Sequence, residues 1–129
     1  MAAPTPVIRT LYDTYDDIIV KVTIPTGGNA DITATTCIDI STMTGGRTVS
    51  ECEIHCTHGQ LSGFSVILWE DADTDVHLLS MADFIQQGGR TFPIPMTHAT
   101  GWTGDIKFTT VGLSSTSSHG SFIVCAKKK

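Results

Sequence analysis

The chain has 129 residues and a mass of 13.8 kDa, the size of one domain that buries roughly two thirds of the surface its unfolded form exposes. Only 16% of residues are charged and the net charge is −5, which excludes a basic surface able to neutralise the six or more phosphates typical of nucleic-acid binding. No apolar run approaches the ~20 residues of a membrane helix, so no membrane association is expected.

The amino terminus, Met-Ala-Ala-Pro-Thr-Pro, has neither a basic n-region nor an apolar h-region. The expectation is a soluble protein without a secretory signal, whose four cysteines Cys37, Cys52, Cys56 and Cys125 stay reduced. Pro4 and Pro6 fix extended geometry and remove two backbone donors, so residues 1–6 read as an arm outside the sheet. Such an arm is either a frayed end or a strap that docks on a partner. Residues 7–129 read as one domain, and 20 Thr, 10 Ser and 12 Gly suit strands and tight turns better than helices.

A first strand is expected over Val7 to Tyr12, followed by the acidic turn Asp13 to Asp17. Ile18, Val20, Val22 and Ile24 then alternate with Ile19, Lys21 and Thr23, a period-two pattern with one apolar face. Pro25 to Asn29 stops it. Ile32 to Ser41 is rich in Thr and Ile but weakly patterned, as in an edge strand or crossing loop. Thr44 to Arg47 forms a turn. Cys52, Ile54 and Cys56 next alternate with Glu51, Glu53 and His55, giving one core face and one wet face. His58-Gly-Gln60 is expected to turn the chain into the central strand.

That strand carries Val66, Ile67, Leu68 and Trp69, too continuous for half exposure, and reads as buried on both faces. The run Asp71-Ala-Asp-Thr-Asp75 reverses it, because Asp side chains hydrogen-bond nearby backbone in turns. Val76 to Leu79 runs back beside it. Ser80 with Asp83 resembles a capped short helix, while Phe84 and Ile85 fit a short strand equally well. Phe92-Pro-Ile-Pro95 cannot be helical or a central strand. Two late strands close the chain, Asp105 to Gly112 and Ser121 to Lys127, separated by the polar loop Ser114 to Ser118. Seven to nine short strands at such spacing predict an all-β fold, an antiparallel β-sandwich of jelly-roll-like type with an extended N-terminal arm.

Motifs that carry chemistry are sparse. Cys52, His55, Cys56 and His58 resemble metal ligands, but on a regular strand Cys52 and Cys56 lie about 13 Å apart and His55 points the other way, so no zinc is expected. Asp71, Asp73 and Asp75 match the first ligands of a calcium loop, yet Val76 and Ala82 stand where that loop needs Gly and Glu. No Gly-x-Ser-x-Gly elbow occurs, Gly63-Phe-Ser65 being the nearest approach, and no enzyme or cofactor is expected. Trp102, within Ala99-Thr-Gly-Trp-Thr-Gly104, suits a sugar-stacking platform, a lid on its own core or an interface anchor.

Leu68-Trp-Glu-Asp-Ala72, the Gly88-Gly89 pair, Thr103 to Gly112 and the closing Lys127-Lys-Lys129 together resemble a group of small tailed-bacteriophage virion proteins. The resemblance spans roughly residues 62–129. It implies a capsid decoration, or cement, protein that binds the major capsid protein on the outer surface of the head as a small oligomer, a trimer, after assembly in the bacterial cytoplasm. A head–tail or tail component and a carbohydrate-binding β-sandwich module are the alternatives. On the decoration reading, the partner-binding residues are Pro4 and Pro6 in the arm with Asp71, Asp73 and Trp102 in the loops. The lysine tail is a second contact.

Overall fold

The computed structural model describes residues 2–88 and 93–129, with side chains throughout except at 83–88. The described residues form seven strands: β1 (Val7–Asp13), β2 (Asp17–Ile24), β3 (Thr35–Ile38), β4 (Cys52–Glu70), β5 (Val76–Gly88), β6 (Ile106–Val111) and β7 (His119–Lys128). They form one antiparallel sheet in the order β1-β2-β7-β4-β6-β3, with β5 on the other edge of β4. The sheet rolls up until β3 comes back against β2, which nearly closes it into a barrel. Among the described residues the only helical turn is the short 3-10 segment Ile40–Thr42, capped by Asp39.

The long strand β4 makes the roll possible. Its first half pairs with β7 through Ser62 and its second half pairs with β6 from Ser65 onward. Between them the chain bends at Gly63, whose φ of +89° suits glycine. At Gly59, a Cβ would lie 2.2 Å from the carbonyl oxygen of Ser121, so only glycine lets β7 approach. The turn expected at His58-Gly-Gln60 is therefore absent, because these glycines curve a continuous strand instead of ending it.

The predicted alternation of β2 holds, and Ile18, Val20, Val22 and Ile24 all face the core. Opposite them pack Phe122, Val124 and Ala126 of β7, Ile54, Leu61, Val66 and Leu68 of β4, and Ile106 and Phe108 of β6. Phe108 meets Phe122 edge to face with ring centroids 5.7 Å apart. Each Val, Ile, Leu or Phe among them contributes about 1.5–3 kcal/mol on leaving water. The strand over Val66 to Trp69 is not buried on both faces. Val66, Leu68 and Glu70 are enclosed while Ile67 and Trp69 stay half-buried, because the outer side of this sheet carries no second layer among the described residues.

The segment after Leu79 remains a strand to Gly88, so the short capped helix does not form. Gly89 and Phe92, singled out in the sequence, lie outside the described residues. Ile94 bridges to Ile54 as an edge contact. A further departure concerns Cys56. The register of β4 against β7 slips between Ile54 and Cys56, and this bulge turns Cys56 away from the core face that Cys52 and Ile54 share.

The lysine tail is also not a tail. Lys128 is fully buried at the end of β7, and its ammonium donates to Asp13 Oδ1, to the carbonyl of Thr14 and, at 2.9 Å, to the carbonyl of Thr44. Lys129 exchanges backbone hydrogen bonds with Glu51 and reaches Glu53 Oε2 at 2.7 Å. A run of three lysines looks like solvated charge, but β-strand alternation sends its middle member inward to three waiting acceptors.

Candidate functional site

Two surfaces hold the residues expected to bind a partner. The first joins the turn after β4 to the loop before β6. Lys107 reaches Asp71 Oδ1 at 2.7 Å and Asp75 Oδ2 at 3.6 Å, and the Thr103 hydroxyl donates to Asp71 Oδ2 at 2.8 Å. The Lys107 ammonium and Thr103, against the opposing cost of burial, hold the Asp71 carboxyl below its ordinary range, and the same ion pair raises Lys107. Backbone hydrogen bonds from Asp73 N–H to Thr100 and from Thr103 N–H to Asp71 zip the two loops together. Gly101, with φ of +77°, is required there because a Cβ would sit 2.1 Å from Asp73 Oδ1.

Trp102 lies on the same loop, 36% exposed, with His98 against its ring at a centroid separation of 4.4 Å. His98 in turn meets Glu51 at 2.7 Å. Asp71, Asp73 and Trp102 thus come together on one braced loop pair. The acidic turn already has a cation in Lys107, and among the described residues no group of three or more His, Cys, Asp and Glu side chains is placed to hold a metal ion. Glu70, beneath this loop, went unnoticed in the sequence. It is fully buried and accepts hydrogen bonds from the Thr97 N–H and hydroxyl and, at 3.0 Å, from the Ala99 N–H. Its position one residue past the apolar run was the signal, since strand alternation points it inward with Val66 and Leu68.

The second surface is the N-terminal edge. Pro4 is buried against Gly28, and Ala2 exchanges two hydrogen bonds of 2.9 Å with Asn29. The arm lies back on its own domain, and Pro6 leads from it into β1. Every residue from Val7 to Tyr12 is exposed. Val7 (57%), Ile8 (39%), Leu11 (48%), Tyr12 (51%) and, past the turn, Tyr15 (58%) account for five of the seven large hydrophobic side chains exposed among the described residues. Among the described residues β1 pairs with β2 on one edge only, and a register shift at Leu11 breaks the regularity of the strand. Sequence reasoning placed this strand correctly and missed its exposure. Apolar residues at 7, 8, 11 and 12 fall on both faces, the same signature as a doubly buried strand.

No protein-family model and no curated protein matches the chain.

Proposed function

We propose that this chain is a non-enzymatic capsid decoration protein of a tailed bacteriophage that docks on the outer surface of the head through β1 and the turn after it. The observation that carries the reading is the row of apolar side chains along an edge strand that the protein's own core leaves uncovered. A standard interface removes about 800 Å² per partner, and because these side chains at 39–58% exposure lie on both faces of β1, the partner wraps the edge strand to cover them. The bulge at Leu11 blunts strand addition, so the contact works through side chains rather than by extending a sheet. The motifs of residues 62–129 that resemble phage virion proteins direct the choice of partner, the major capsid protein, and of a trimer as the docking unit. In this reading the rolled sheet serves as a jelly-roll-like sandwich whose role is rigidity.

The experiment is cryo-electron microscopy of purified particles, comparing wild type with Val7→Lys/Leu11→Lys. Both positions are exposed, so the thermal midpoint should move by less than about 2 °C while head occupancy falls at least tenfold. Unchanged occupancy removes β1 from the contact. Density at the neck or tail instead of the head lattice identifies a head–tail or tail component.

A further inference from the structure

On the outer face of the sheet, opposite the core, the register sets Ile19 of β2 beside Cys125 of β7 and Cys125 beside Cys56 of β4. Residues directly opposite on paired antiparallel strands have Cα atoms about 4.5–5.5 Å apart. Disulfides bridge Cα separations of about 4.4–6.8 Å. Without the bulge at His55, Cys56 would point inward with Ile54 and the two thiols would lie on opposite faces.

Both cysteines are half-buried, and both line one open cleft of about 660 Å³ together with Tyr12, Asp17, His55 and Lys127. A small molecule can therefore reach them. The other two cysteines differ. Cys37 and Cys52 are enclosed in the core, and burial pushes both thiols up to about 12, which leaves almost no thiolate near neutral pH.

We infer that Cys56 and Cys125 form a dithiol site that a small-molecule disulfide oxidises to an intrachain cross-strand disulfide. One thiol loses its proton and attacks a sulfur of the incoming disulfide. The S–S bond of that molecule breaks, one half leaves as a thiolate, and the other half stays on the protein as a mixed disulfide. The second cysteine, also deprotonated, attacks the first cysteine's sulfur and expels the remaining half. The two protons released by the protein end on the two departing thiolates, so the protein loses two electrons and the small disulfide gains them. Because β4 and β7 are already paired, the new bond tightens a joint that exists. It also constrains a loop of roughly seventy residues in the unfolded chain.

The test is incubation of the native full chain with oxidised glutathione at neutral pH, followed by thiol counting, peptide mapping and thermal melting. Two thiols should disappear, the map should join Cys56 to Cys125, and no glutathione should remain attached. The melting midpoint should rise on the order of 10 °C and fall back with dithiothreitol. Cys56→Ser and Cys125→Ser should each hold one stable glutathione adduct, since each lacks the second thiol that would expel it. Native wild type that keeps all its thiols, retains adducts on both cysteines, or forms a bridge to Cys37 or Cys52 overturns the inference. Wild-type mapping decides the question even if a serine variant folds poorly.

Discussion

β1 and β7 flank the same strand, β2, on its two edges, and they share an apolar-rich sequence. Their environments are opposite. Phe122 and Val124 of β7 are 0% exposed, whereas Val7 and Leu11 of β1 are 57% and 48% exposed. β7 has β4 on its far edge and Phe108 of β6 above it, so its inward side chains meet partners in every direction. β1 has β2 and, among the described residues, no further strand. Apolar content makes a strand able to be buried, and neighbours decide whether it is. The same contrast separates the chain ends. The N-terminal arm is seated by Pro4 against Gly28 and by two hydrogen bonds between Ala2 and Asn29, while near the other end the buried ammonium of Lys128 is held by three acceptors.

The largest expected effect that tests this contrast is at Lys128. Replacing it with Met leaves the Asp13 carboxylate and two carbonyls without their donor, and should cost on the order of 3 kcal/mol in chemical denaturation. A loss below about 1 kcal/mol would mean that backbone pairing and packing hold the strand's carboxyl end without the ammonium. Acid unfolding comes next. Burial raises the Asp13 carboxyl, but its bonds to Lys128 and Thr44 outweigh that and leave it below the ordinary 3.8. Glu53, chiefly through Lys129, lies below 4.5, and Asp71, chiefly through Lys107, below 3.8.

A depressed folded pKa contributes stability that is present above the unfolded value and is lost as pH falls through the folded one. Stability should therefore drop steeply below about pH 4. Asp105, raised mainly by burial, works in the opposite sense and offsets part of the loss. Lys128→Met should blunt the drop, since Asp13 then has less stability to lose on protonation. An unchanged pH profile in that variant would separate Asp13 from the pair.

The smallest effect belongs to the arm. In Gly28→Ala the new Cβ would lie 2.2 Å from Pro4 Cδ, so the arm must leave its seat, at a cost of about 1–2 kcal/mol. Chemical denaturation should register that loss with the fold retained, and limited proteolysis should cut near residue 4 sooner than in wild type. Equal protection would show that the arm repacks rather than detaches.

Much of the fold was legible in the sequence. The period-two pattern of Ile18 to Ile24, the acidic turn at Asp71 to Asp75, and the late strands before and after Ser114 to Ser118 all appear where local alternation and turn chemistry put them. These features depend only on residues a few positions apart. The grouping of Asp71, Asp73 and Trp102 on one loop pair was visible only as separate motifs, because Lys107, Thr103 and Gly101 join them across the sheet. Glu70 was overlooked and Lys128 misjudged for a related reason. A charged residue reads as solvated until its acceptors or donors are known, and those lie 27 to 115 positions away.

Composition and alternation by themselves determined that this chain is all-β, which segments become strands and where most of them turn. Tertiary structure alone decided that two glycines bend β4 instead of ending it, that one bulge brings Cys56 beside Cys125, and that β1 stays uncovered while β7 is enclosed. The physical reason is that strand formation follows from the side-chain period along the chain, whereas burial, register and pairing depend on strands that sequence separation hides.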